Sequence, residues 1–184
     1  MKLIIAIACG LFLLLTISCN RNVKKDKLNQ QNKVIIPPAL PIFVKSLQAS
    51  DTLALNTDTL LYYQRSACFG FCPTYNYTLY QNGMVKYEAI QHVDNVGTHF
   101  GLVTDAWWTE VLKEIQKSNF FELLDVYPVE KELYIPDLPN TIITIKDFGK
   151  RKSIIDNHHA PKELKDFEFY LESQFQKLEF IKNW

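Results

Sequence analysis

The stretch ACFGFCPTY, residues 67–75, carries two cysteines, Cys68 and Cys72, with three residues between them. Thiols at such a spacing can form a structural disulfide, act as a redox couple or supply two ligands to a metal ion. In a straight strand their Cα atoms would lie about 13 Å apart, beyond the roughly 4.4–6.8 Å that a disulfide spans. Gly70 and Pro73 allow a tight turn that brings the two sulfurs into range. We therefore predict a structural disulfide that fixes the start of the following strand.

The other two roles need features that this stretch lacks. A redox couple is usually Cys-x-x-Cys at a helix N-terminus, whereas here the spacing is one residue longer and a strand follows. A zinc site would need two further ligands, for which His158 and His159 are the evident candidates. Adjacent imidazoles diverge in an extended or helical backbone, so these two do not readily bind one metal together. We predict no metal and no cofactor, and keep a redox-active pair as the alternative.

Few other residues are arranged for catalysis. Glu130, Glu132 and Asp137 lie in a proline-rich stretch that we predict to be a solvated loop. The sequence contains no glycine-rich phosphate loop and no G-x-S-x-G elbow. Its 20 Lys and Arg balance 20 Asp and Glu, so no global field favours a nucleic-acid partner. No residue is therefore assigned a catalytic role.

The N-terminus predicts export and lipidation. One lysine precedes an apolar run to Ile17, which is short for a bilayer core of about 30 Å and is placed like the apolar region of a signal peptide. The residues Thr16-Ile17-Ser18-Cys19 resemble the bacterial lipobox, with threonine where leucine is more usual. That resemblance implies a lipoprotein signal peptide over 1–18 and lipidation of Cys19, whose acyl chains would attach the protein to a membrane.

Residues 19–57 are predicted to be the lipid anchor followed by a flexible tether and a proline-rich strap, because the stretch NRNVKKDKLNQQNK is polar and has no apolar periodicity. It lacks an acidic run resembling the surface-export signal of Bacteroidetes lipoproteins. We therefore expect an outer-membrane lipoprotein that faces the periplasm, where disulfides persist. Asp-Thr-Leu occurs twice and resembles the Bacteroidetes O-glycosylation acceptor sequence, which makes Thr52 and Thr59 candidate glycosylation sites.

Residues 58–184 are predicted to form one domain, whose clearest element is a hairpin. The stretch YNYTLYQNGMVKYEA alternates apolar and polar residues on both sides of an Asn-Gly pair. A three-residue loop over 81–83, with Gly83 left-handed, pairs Leu79 with Val85, whereas a two-residue turn would pair Leu79 with a lysine. Because a slip of one residue moves the apolar side chains to the other face, we predict the three-residue loop.

Two segments have helical periodicity. The first follows the N-cap candidate Thr104, and the second follows Pro161, which suits a first helical turn. Their apolar stripes are Trp108, Val111, Leu112 and Ile115 in the first, and Leu164, Phe167, Leu171, Phe175 and Leu178 in the second. A second hairpin lies between them. The order strands, helix, hairpin, helix predicts an α+β fold, an antiparallel sheet with two helices packed on one face.

The chain from about residue 60 to 178 resembles a bacterial family described as a domain of unknown function. The matching residues are Cys68-Phe69-Gly70, Cys72-Pro73, Tyr75, Gly83, Val85, Tyr87, Gly97, Phe120-Phe121, Asp137, Pro139, Asp156 and Ala160-Pro161. The Cys-x-Gly-x-Cys-Pro block is the most specific of them. The family pattern has no fixed histidine pair at 158–159. The resemblance implies fold and export, and no activity.

These features predict a non-enzymatic binding or scaffolding module of the cell envelope, whose partners are the membrane and an envelope protein or polymer. Phe69 and Phe71, together with Tyr62 and Tyr63, are the candidate contact surface. The alternative is a periplasmic thiol-redox or hydrolytic enzyme. An enzyme would need a cleft with perturbed ionisable groups.

Overall fold

The computed structural model of the chain describes residues 58–147 and 149–182. The predicted signal peptide (1–18), the lipidation site Cys19 and the tether over 19–57, with the glycosylation candidate Thr52, lie outside these residues. Within the described part, neither helix combines the length and the apolar composition that crossing a membrane would need.

Eight strands form one sheet, in the order β5-β7-β6-β1-β2-β3-β4-β8. The strands are β1 (Thr59–Arg65), β2 (Thr74–Tyr80), β3 (Met84–Gln91), β4 (Gly97–Leu102), β5 (Val126–Tyr127), β6 (Thr141–Asp147), β7 (Lys150–Asp156) and β8 (Ile181–Lys182). The helices are α1 (Asp105–Lys117) and α2 (Lys162–Phe175). All neighbouring strands are antiparallel except β5 and β7, which are parallel.

The predicted α+β fold with an antiparallel sheet is wrong. The fold is mostly sheet, and the sheet is mixed, because Val126 and Tyr127 pair in parallel with Ile155 and Asp156. A sheet covered on one face only would also keep its other face polar. Here a second apolar cluster, made of Tyr80, Met84 and Phe100 with Leu102 against it, is buried on the face opposite the main core.

The hairpin of β2 and β3 has the predicted register. Leu79 pairs with Val85 across a loop over 81–83, and Gly83 has a φ of 82°, the left-handed conformation that the turn requires. Because these pairs share a face, Leu79 and Val85 both point to the main core, whereas Tyr80 and Met84 next to the loop belong to the second cluster. The prediction of a three-residue loop is confirmed.

The two helices begin where the sequence predicts. Thr104 caps α1, its side chain accepting a hydrogen bond from the Trp107 N–H at 3.1 Å, and α2 begins directly after Pro161. The buried helix residues are Trp108, Val111 and Ile115 in α1, and Leu164, Phe167, Glu168, Leu171 and Phe175 in α2. Leu178 lies beyond the end of α2 and packs, half-buried, against the main core. The main core therefore combines sheet residues with one stripe of each helix.

Candidate functional site

Three rows of side chains cross the sheet face that contributes to the main core. Paired residues of antiparallel strands point to the same face, and residues two apart along a strand fall in successive rows. The first row is aliphatic and runs Ile145, Leu61, Leu79, Val85. The second row is aromatic at its centre and runs Ile154, Ile143, Tyr63, Tyr77, Tyr87, His99. The third row is the most polar and runs Asp156, Thr141, Arg65, Tyr75, Ala89, Gly97.

A pocket lies beside Arg65 and Tyr75 of the third row. Ala89 and Gly97 follow Tyr75 in this row, and a Cβ built on Gly97 would meet only Nε2 of His99, at 4.0 Å. The pocket has a volume of about 850 Å³, inside the range of about 300–1,000 Å³ that small-molecule sites span. Its walls come from the sheet, the β3–β4 loop, α2 and the segment after α2, namely Arg65, Pro73, Tyr75, Tyr77, Tyr87, His92, Val93, Asp94, Asn95, His99, Glu172, Phe175, Gln176 and Phe180.

Stacked aromatic rings form the apolar wall of this pocket. The ring of Tyr77 lies between those of Tyr87 and Phe175, with centroids 4.6 Å and 4.3 Å away and planes within 16° of parallel. Phe180 adds a further ring, 5.3 Å from Tyr87. Rings held on several sides have little rotamer freedom, so the wall is shaped before any ligand arrives.

The buried tyrosine hydroxyls of the site are neutral hydrogen-bonding groups. The hydroxyl group of Tyr75 donates a hydrogen bond to Oε1 of Glu172 on α2. Burial, followed by this hydrogen bond, raises the pKa of Tyr75 far above its usual value. Burial is also the main reason why the pKa values of Tyr63 and Tyr77 are raised. All three stay phenols at physiological pH, so they suit binding and are poor bases.

Arg65 brings a positive charge to the pocket. The residue is half-buried, and its Nη1 donates a hydrogen bond to Oγ1 of Thr141 at 2.5 Å. Arg65 belongs to none of the ion pairs between residues that the structure describes. Since a guanidinium group has five N–H donors, several remain for a molecule bound in the pocket.

A cluster of ionisable groups occupies the other end of the third row. The buried Asp156 accepts a hydrogen bond from Nζ of Lys165 through Oδ2, and Lys165 also lies 3.2 Å from Oε2 of Glu168. Burial, and then the charge of Asp156, raises the pKa of Glu168 to about 8, while Lys165 opposes this shift. Glu168 is therefore protonated at neutral pH. Oδ1 of Asp156 is buried and has no hydrogen-bond partner in the described part of the chain.

The disulfide loop lies next to two pocket residues, Pro73 and His92. Cys68 and Cys72 are bonded, with their Cα atoms 5.7 Å apart, as predicted from Gly70 and Pro73. Phe69 and Phe71 between them are 88% and 89% exposed. The ring of Phe71 lies 5.1 Å from that of His92, a pocket residue. The backbone N–H of Phe69 donates to the carbonyl oxygen of Asp137 at 3.2 Å, which ties this loop to the proline-rich loop.

The structure separates the other predicted residues from the pocket. Tyr63, predicted to be exposed, is 1% exposed because it belongs to the second row, and Tyr62 is half-buried on the opposite face. Thr59 is the half-buried first residue of β1. The rings of His158 and His159 lie 4.3 Å apart and do not diverge as predicted, because His159 adopts a left-handed backbone with φ of 62°.

Sequence reasoning missed the residues that make the pocket. Arg65, Tyr75 and Glu172 come from β1, β2 and α2, and nothing in their local spacing connects them. The nearest signal was the pair of small residues, Ala89 and Gly97, that follow Tyr75 on the same face of the sheet. Finding it would have required the register of β3 with β4.

The family model described as Domain of unknown function (DUF6438) matches residues 59–175. No curated protein matches the chain. The matched range includes strands β1 to β7, both helices, the disulfide loop and the whole third row. The match confirms the predicted resemblance to a family described as a domain of unknown function. The chain belongs to the DUF6438 family of domains of unknown function.

Proposed function

We propose that this protein is a non-enzymatic binding module of the bacterial cell envelope, anchored to the outer membrane through lipidated Cys19 and facing the periplasm. The apolar run before Cys19 and the lipobox-like residues 16–19 support the anchor. The bonded Cys68–Cys72 pair is consistent with an oxidising compartment. The polar stretch after Cys19 would let the domain reach its ligand at some distance from the membrane.

The observation that carries the binding role is the pocket beside Arg65 and Tyr75. It combines a stacked aromatic wall with a few polar groups, Arg65, Glu172 and the Tyr75 hydroxyl, that can orient a ligand. Small-molecule sites in proteins also combine aromatic side chains with polar groups that fix the orientation of the ligand. The ligand belongs to an envelope protein or an envelope polymer.

The alternative of a thiol-redox or hydrolytic enzyme has less support. Cys72 is followed by Pro73 and by strand β2, so no helix N-terminus is present to lower the pKa of a thiol. The pocket hydroxyl of Tyr75 has a raised pKa and is hydrogen-bonded to Glu172, which makes it a poor nucleophile.

The anchor is tested by feeding a radiolabelled fatty acid to bacteria that express the full chain. Wild type should incorporate the label and sediment with membranes, and Cys19→Ala should lose the label. Cys9→Ala is the matched control, because Cys9 lies in the predicted signal peptide and its loss should leave labelling unchanged. Label retained by Cys19→Ala would contradict the proposal.

The binding role is tested by hydrogen exchange of the full chain in detergent micelles. Two ligand mixtures are added, peptidoglycan fragments released by a muramidase and peptides from digested envelope proteins. We expect slower exchange over 92–99 and 172–180, and unchanged exchange in α1, with at least one mixture. Ala89→Leu places a larger side chain beside the pocket residue Tyr75 and should abolish this protection, whereas Ile90→Leu on the opposite face should keep it. Unchanged exchange with both mixtures would refute a binding role for the pocket.

A further inference from the structure

We propose that the pocket recognises a carboxylate on its ligand, and that Arg65 is the residue that binds this carboxylate. The inference rests on the proposed binding function and specifies the ligand chemistry. It follows from the partners of Arg65 and from those of the acidic residues around it.

Arg65 lies at the pocket with spare hydrogen-bonding capacity. Its one described hydrogen bond goes to a neutral hydroxyl, that of Thr141. A half-buried guanidinium with few acceptors has lost part of its hydration without full replacement, and a carboxylate restores it through two parallel N–H···O bonds. A lysine could not make this planar contact, so arginine suits carboxylate recognition at this position.

Glu172, Asp156 and Glu168 form no ion pair with Arg65, and each of the three has another hydrogen-bond partner. Glu172 accepts a hydrogen bond from the hydroxyl group of Tyr75. Tyr75 is the residue that pairs with Arg65 across β1 and β2. Asp156 binds Lys165, and Glu168 carries a proton at neutral pH. The acidic residues around the third row thus leave the positive charge of Arg65 for a ligand.

The rest of the lining limits which carboxylates fit. Asp94 and Glu172 also line the pocket, so a ligand with a second negative charge would be repelled. Their oxygens can accept hydrogen bonds from hydroxyl, amide or amine groups. The half-buried rings of Tyr87 and Phe180 offer an apolar surface to the remainder of the molecule. The preferred ligand carries one carboxylate, hydrogen-bond donors and a compact apolar part.

Two envelope sources carry such a group, the C-terminal carboxylate of a peptide and the carboxylate of an acidic sugar. The probes are therefore two matched pairs. N-acetyl-alanyl-alanine is compared with its C-terminal amide, and N-acetylmuramic acid with N-acetylglucosamine, which lacks the carboxylate. Binding to the full chain in detergent micelles is measured by ligand-observed NMR titration at pH 7.

We expect at least one acid to bind at least tenfold more tightly than its neutral partner. The pair that shows this difference identifies the source as peptide or sugar. Arg65→Gln should remove the difference and Arg65→Lys should reduce it, whereas Arg151→Gln, a change at an exposed arginine on β7, should leave it intact. Thermal unfolding followed by circular dichroism checks that each variant is folded.

The inference is overturned if neither acid outbinds its neutral partner, a comparison that needs wild type alone. It is also overturned if folded Arg65→Gln discriminates as well as wild type. If the carboxylate inference fails while envelope fragments still protect 92–99 and 172–180, the binding function stands with a different ligand chemistry. If that protection is absent as well, the proposed function fails too.

Discussion

Replacing Glu168 by glutamine should remove much of the pH dependence of folding stability between about pH 4.5 and 8. Burial, followed by the charge of Asp156, raises the pKa of Glu168 from 4.5 to about 8 in the folded protein. The folded state therefore binds more protons than the unfolded state between these two pH values. The contribution of Glu168 to the free energy of unfolding is largest below its unfolded-state pKa of 4.5, and it is lost as the pH rises to about 8.

The size of the effect follows from the two pKa values. Each pKa unit corresponds to about 1.4 kcal/mol, so a rise from 4.5 to about 8 sets an upper limit of about 5 kcal/mol on the stability lost over this range. That is a large part of the roughly 5–15 kcal/mol that stabilises a typical domain. Glutamine keeps the size of Glu168 and can donate a hydrogen bond to Asp156, but it cannot ionise. Glu168→Gln should therefore match wild type near pH 5 and exceed it at pH 8.

The assay is urea unfolding of the full chain at pH 5, 6.5 and 8, followed by circular dichroism. Glu163→Gln is the matched control, since Glu163 is exposed in the first turn of the same helix. Every other ionisable group is shared by wild type and variant, so the difference between the two isolates Glu168. Parallel stability profiles for wild type and Glu168→Gln from pH 5 to 8 would refute the reasoning about the Asp156 cluster.

Three further predictions concern stability and are measured by urea unfolding. Replacing both Cys68 and Cys72 by serine should cost about 2 kcal/mol, because opening the five-residue loop returns entropy to the unfolded chain, and an unchanged midpoint would mean that other contacts hold this loop. Phe175→Ala should cost about 3–5 kcal/mol and Phe169→Ala close to zero, because the two side chains of α2 are 0% and 75% exposed. Equal losses would contradict the buried face assigned to this helix. Thr104→Ala should cost about 1 kcal/mol, since α1 loses its capping acceptor, and Thr104→Ser should recover most of it.

Local elements could be predicted because their signals lie within a few neighbouring residues. Gly83 fixes the loop of the first hairpin, and the apolar alternation on both sides then allows one register. Thr104 marks the start of α1 for a similar reason, since its side chain acts on an N–H only three residues away. The Cys68–Cys72 pair is also local, with a glycine between the two residues.

The fold class and the pocket depend on contacts that no short stretch encodes. Strands β5 and β8 have two residues each, too few to show alternation, and β5 makes the sheet mixed. The pocket requires Arg65, Tyr75 and Glu172, which come from β1, β2 and α2, to meet. The prediction that Tyr63 belongs to an exposed contact surface was wrong. The side chain of Tyr63 is buried because β1 pairs on both sides, with Ile143 of β6 and with Tyr77 of β2.

The central position of β1 determines how the domain responds to force. This strand is bonded to β2 on one side and β6 on the other, and the chain reaches it through residue 58. A pull on the preceding segment acts along the axis of β1, whereas its ladder hydrogen bonds run across that axis. Tension therefore loads both ladders in shear, and many bonds must break together instead of unzipping one pair at a time. The pull enters β1 at Thr59, and β1 ends at Arg65. A ligand bound to Arg65 would therefore receive the load at the other end of the same strand.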